Sequence, residues 1–172
     1  MSDNTFTVYG DYYVEIWFPV EPDSDGFPSD IRWEQLMASP VVEDENFFQL
    51  ESIPFYLKNV SRGDIVEALE RPGNELDGVS RFEFEKVICR GGHNTYRLLL
   101  KMTHVDDPSY TENELLSLGL CVESQFGDFF AVDVPNSVDQ GAIDAFLISG
   151  VKSERWGMQD GFINEDSVQI LK

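Results

Sequence analysis

Two helix-start patterns stand in a chain that otherwise alternates with a period of two, and they restrict its fold more than any other feature. Thr111-Glu-Asn-Glu114 and Ser137-Val-Asp-Gln140 each place a hydroxyl residue three positions before an acid or amide. That spacing lets the first helical turn satisfy its own free N–H groups. Behind the first pattern, Leu115, Leu116 and Leu118 lead to Gly119, a residue suited to the left-handed backbone just past a helix end. Behind the second, Ile143, Phe146 and Leu147 fall on one helical stripe that is expected to end at Gly150. Strands are predicted around them. One carries Tyr96, Leu98, Leu100 and Met102 on one face, a second runs from Leu120 to Glu123, a third carries Phe130, Val132 and Val134, and a fourth runs from Val151 to Trp156. The order β-α-β-β-α-β over residues 93–172 predicts a ferredoxin-like sandwich, two helices on one face of a four-stranded antiparallel sheet.

Residues 1–92 carry strand signals without helix signals. Tyr12, Val14, Ile16 and Phe18 alternate with Tyr13, Glu15 and Trp17 up to Pro19, which closes a strand. Short strands are predicted at Arg32–Met37, Asn46–Leu50, Phe55–Asn59 and Asp64–Leu69. A further one has Phe82, Phe84 and Lys86 opposed to Glu83, Glu85 and Val87. Closely spaced short strands predict a small bent sheet or partial barrel. The chain is short for two independent cores, so the two parts, 1–92 and 93–172, are expected to form one packed α+β unit with the N-terminal sheet on the open face of the second sheet.

Charge narrows the partner. The chain carries 32 acids and 12 bases, a net −20. Residues 1–57 hold 12 acids and one base, Arg32, whereas residues 58–104 hold 7 and 8, and residues 105–172 hold 13 and 3. Such a surface repels nucleic acid and anionic lipid and attracts a basic protein. No run of about 18 apolar residues spans a membrane. Met1-Ser2-Asp3-Asn4 does not open a signal peptide, so a cytoplasmic location is expected. Cys89 and Cys121 lack a CxxC spacing and read as reduced thiols.

No catalytic or metal pattern stands out. His93, on the turn Gly91-Gly92-His93-Asn94, has Asp64 or Asp133 as a possible orienting carboxylate for a general base, yet no spacing ties a second reacting group to it. The turn therefore reads as a tight connection between strands. Asp23, Asp25 and Glu34 occupy the first, third and twelfth places of a calcium-loop count. Phe27 and Pro28 stand at the fifth and sixth, where a ligand and a glycine are needed, so no calcium site is expected. A zinc site would need His93 and His104 with both cysteines, at a spacing that fits no short zinc pattern. No cofactor and no metal are expected, and no enzymatic activity.

The segments Val14-Glu-Ile-Trp-Phe-Pro-Val20, Ile53-Pro-Phe55, Val60-Ser-Arg-Gly-Asp64 and Gly92-His-Asn-Thr-Tyr-Arg97, with Gly119 and Asp133-Val-Pro135, resemble a bacterial family of unknown function over residues 12–160. The resemblance implies a bacterial cytosolic origin and one architecture, and it assigns no catalytic residue. Acidity without catalytic machinery makes a toxin-neutralising immunity protein the leading expectation. Its basic target, a candidate nuclease, would be occluded by Asp23, Asp25, Asp30, Glu43, Asp44 and Glu45, with Trp33 or Phe47 as an apolar anchor. The alternative is a small-molecule-binding regulatory module whose pocket gathers His93, Tyr96 and Arg97.

Overall fold

The computed structural model describes residues 6–8, 12–22, 28, 30–42, 44–71, 81–101 and 108–164. Among the described residues the protein is α+β and mostly strand, with two sheets and two helices. It divides into two compact units, residues 1–52 with 62–91, and residues 53–61 with 92–172. Segment 53–61 thus belongs with the C-terminal half, against a simple division at residue 92.

The first unit is a closed barrel of five strands. These are β1 (Val14–Pro19), β2 (Trp33–Pro40), β3 (Phe47–Leu50), β4 (Ile65–Arg71) and β5 (Arg81–Cys89). Successive strands pair antiparallel, so the fifth runs the same way as the first and the closing seam is parallel, Ile16 opposite Phe82 and Trp17 opposite Glu83. Full closure removes the open edges of the expected partial barrel. Alternation sends Ile16, Phe18, Leu36 and Ala38 inward. Phe18 stacks on Phe84 at 4.7 Å and Phe48 meets Phe82 edge-on at 4.9 Å. Strict alternation in β5 would also send Lys86 inward. The ladder instead shifts register at Glu67/Ala68, so Lys86 turns to solvent and pairs with Glu67 at 2.8 Å. That bond and the neighbouring carboxylate charge hold the Lys86 ammonium above its usual pKa. A bulge is the local means of avoiding a buried ammonium.

The second unit holds β6 (Asn94–Leu100), α1 (Pro108–Ser117), β7 (Cys121–Gln125), β8 (Phe129–Val134), α2 (Gln140–Lys152) and β9 (Trp156–Asp160). Its sheet runs β7-β8-β6-β9 with every neighbouring pair antiparallel. Leu115, Ile143 and Leu147 from the helices pack with Tyr96, Leu98, Leu100, Phe130, Val132, Val134 and Trp156 on one sheet face. The other face carries segment 53–61: Ile53 and Phe55 pack on Ala131, with Tyr56, Cys121 and Phe129 around them. Phe55–Asn59, predicted as a strand, is instead an irregular strap. Its backbone is tied by side chains, Ile53 N–H donating to Glu123 at 3.0 Å and Leu57 C=O accepting from Arg97 at 2.6 Å.

Both predicted helices exist, and both start elsewhere. α1 opens at Pro108, whose fixed φ and missing N–H suit a first helical position, and Thr111 is a buried interior residue. α2 is capped by Asp139, whose carboxylate accepts from the Ala142 N–H at 3.2 Å, not by Ser137. Gly119 does end α1 as expected. At φ +83°, its N–H donates to the Leu116 C=O and the Leu120 N–H to the Leu115 C=O, the paired bonds of a Schellman end. Gly150 does not end α2, which runs on to Lys152. A Cβ on Gly150 would lie 1.9 Å from the Trp156 ring, so glycine is there to admit the indole. The predicted strand from Val151 therefore begins only at Trp156. Beyond β9, residues 161–164 continue along β6, with Gly161 N–H donating to Thr95 C=O and Thr95 N–H to Phe162 C=O. Val168 and Ile170, expected in an edge strand, lie outside the described residues.

Candidate functional site

Two places bring functional side chains together, one in each unit. In the second unit the chain enters β6 through Gly92 at φ +82° and His93. The imidazole Nδ1 lies 2.8 and 3.0 Å from the two carboxylate oxygens of Asp133, which is fully buried, and the ring is 22% exposed. Of the two carboxylates weighed for His93, Asp133 is thus the partner. Asp64 accepts from Arg90 Nη1 at 2.7 Å and from the Gly91 N–H at 2.8 Å, fixing the turn where Gly91 meets the Gly63 backbone. The His93–Asp133 geometry orients an imidazole, and several groups on the same strand are tied into the structure, although the Thr95 hydroxyl is buried without a hydrogen-bond partner among the described residues. Arg97 is buried, with Nη1 on Gln159 and Nη2 on the Leu57 C=O. Tyr96, on the other face of β6, donates its hydroxyl to Asp144 at 2.8 Å, and burial with that carboxylate raises the phenol well above its usual pKa. Adjacent residues of a strand point to opposite faces. His93, Tyr96 and Arg97 therefore do not converge on one pocket. His104 lies outside the described residues, as do Asp23, Asp25 and Glu43.

The remaining residues expected to bind a partner lie in the barrel, at two separate places. Asp30 is exposed and Trp33, at the start of β2, is 48% exposed. Asp44, Glu45 and Phe47 sit past the other end of β2, whose eight residues separate the two groups by about 23 Å of strand. Asp44 closes a turn, accepting from the Asn46 N–H at 2.9 Å, and Phe47 is half-buried against Phe6 at 6.4 Å. Among the described residues, the Asp30–Trp33 end and the Asp44–Phe47 end do not form one continuous patch, and Phe47 is not an open anchor. Glu34, counted in the calcium-loop comparison, is buried on the inward side of β2.

Around Trp33 the barrel presents a face that the acid clusters did not indicate. Tyr13, just ahead of β1, is exposed, Glu15 and Trp17 leave β1 outward, and Trp33, Gln35 and Met37 leave β2 outward. The ladder sets Glu15 opposite Met37, Trp17 opposite Gln35 and Pro19 opposite Trp33. Trp17 and Trp33 meet at 6.5 Å with their planes 69° apart, and the Arg81 guanidinium lies 5.1 Å above the Trp17 ring. Tyr13 is 51% and Met37 40% exposed. The alternation of Tyr13, Glu15 and Trp17 with Val14, Ile16 and Phe18 already carried this face in the sequence. What placed Trp33 beside Trp17 is the β1–β2 register, which no local pattern states.

Among the described residues no helix is long and apolar enough to cross a membrane, and no group of three or more His, Cys, Asp or Glu gathers as metal ligands do. No curated protein matches the chain. A solved structure described as a novel crystal structure of a hypothetical protein from Neisseria gonorrhoeae is similar in fold, with TM-score 0.62 and 12% identity over 91% of this chain and 99% of that one. Residues 34–158 match the family model for the domain of unknown function DUF4265, and the chain belongs to that family.

Proposed function

We propose that this chain is a non-catalytic acidic binding protein that holds a basic protein on the outer face of β1 and β2, and that it serves as a bacterial immunity protein, working in the cytoplasm, that occludes a basic toxin such as a nuclease. The observation that carries the reading is Trp33, 48% exposed, set against Trp17 and on the same outward face as Met37 and Glu15, in a stretch of chain with 12 acids and one base. Exposed tryptophans supply much of the energy of protein interfaces, and a surrounding negative field speeds the approach of a positive partner. The bonds that tie His93 to Asp133, and Arg97 to Gln159 and Leu57, favour a structural role for this cluster. We read the second unit as a ferredoxin-like sandwich that serves as scaffold; its β-α-β-β-α-β order and the sheet order β7-β8-β6-β9 support this.

Co-expression with the genes that flank its own tests the function. A toxic neighbour is expected whose growth arrest this chain relieves and which co-purifies with it. Absence of any rescued or co-purifying neighbour would remove the immunity reading.

A further inference from the structure

We infer that the outer face of β1 and β2 is an arginine receptor: Trp33 takes a guanidinium of the partner on its indole, and Glu15 takes a second positive side chain further along the same strands. The inference rests on the reading of the partner as basic and names what in it is recognised. The barrel already shows the chemistry within itself, because Arg81 lies 5.1 Å above the centre of the Trp17 ring. A planar, weakly hydrated guanidinium covers an indole better than an ammonium does. Trp17 is thus occupied from β5, whereas its neighbour Trp33 is 48% exposed at the outer start of β2.

The register gives the receptor its spacing. Trp33 is opposite Pro19 and Met37 is opposite Glu15, so the indole and the carboxylate are four residues apart, about 13 Å along the ladder. Gln35 lies between them and donates to Glu15 at 3.5 Å, holding the carboxylate over the face. Met37, 40% exposed, gives the aliphatic stem of a long side chain an apolar bed. An extended basic segment with two cations at that separation matches the face. Lipid and nucleic acid match it less well, because the chain's net charge of −20 repels phosphate. A second copy carries the same charge of −20.

Intact protein titrated with nona-arginine and with nona-lysine, followed by calorimetry at low and physiological salt, separates the ideas. The arginine peptide should bind about 5-fold more tightly than the lysine peptide. Trp33→Ala should erase that preference while leaving salt-dependent binding of both, and Glu15→Gln should weaken both. Both side chains are exposed, so circular dichroism should show the fold retained. Equal binding of the two peptides, or a preference that survives Trp33→Ala, would overturn the arginine receptor and leave the basic-partner reading standing. Binding of neither peptide at low salt would overturn both.

Discussion

Phe126 is an extreme case of a residue that works against its own fold. It sits at the tip of the β7–β8 hairpin, 91% exposed, at φ +56°. A bulky side chain in the left-handed region costs about 1–2 kcal/mol, and the exposed ring recovers none of it by burial. Phe126→Asn, with a side chain that tolerates this backbone, should raise the melting temperature by about 2–4 °C, as read by calorimetry; a lower melting temperature would show that the ring is held by packing. Tyr96 works the other way. Its hydroxyl donates to Asp144 in a buried place, which pushes the phenol pKa up in the fold. A group that holds its proton more tightly when folded contributes stability that is complete below its unfolded pKa, about 10 for tyrosine, and is lost as pH rises above it. Tyr96→Phe should therefore cost about 1–2 kcal/mol at pH 7 and flatten the loss of stability between about pH 10 and 11. Urea titrations at the two pH values check both signs. Neither residue advertised its role in sequence. Tyr96 read as one member of an apolar strand face, which it is, but its partner comes from a helix 48 residues on.

At the level of elements, the existence of α1, α2 and most strands was legible, because hydrophobic period depends on which face meets a core and that is local. The places where helices begin and end were less so. Gly119 was readable because a left-handed residue past a helix end has one common meaning. Gly150 was misread because glycine also serves close packing, and the ring it admits, Trp156, belongs to a different element. Gly150→Ala should destabilise the second unit by about 3 kcal/mol, measured by denaturant unfolding. Combined with Trp156→Phe, whose smaller ring makes room, the alanine should cost clearly less than it does alone, a coupling that a double-mutant cycle reads. Additive costs would place the strain elsewhere. The bulge at Glu67/Ala68 was similarly hidden. A period-two reading of β5 buries Lys86, and only the pairing with β4 shows where the extra residue is accommodated.

Over the whole molecule, the strand order β1 to β5 closes a barrel on a parallel seam and the second unit lays two helices on one sheet face. The acidity of the ends was visible in a count, but its placement in space was not. Asp30 and Asp44 lie near opposite ends of β2, so clusters adjacent in a list of acids are far apart along a strand. The tryptophans, 16 positions apart in sequence, are neighbours through register. The proposed binding face is therefore the barrel face around Trp33 and Glu15, and the His93–Asp133 pair lies within the second unit. Growth rescue in cells that produce the proposed toxic partner tests that proposal most directly, comparing the double variant Trp33→Ala/Glu15→Gln with His93→Ala, each made at normal levels and folded. The barrel-face variant should lose protection and His93→Ala should keep it. Protection that survives in the first and fails in the second would contradict the account.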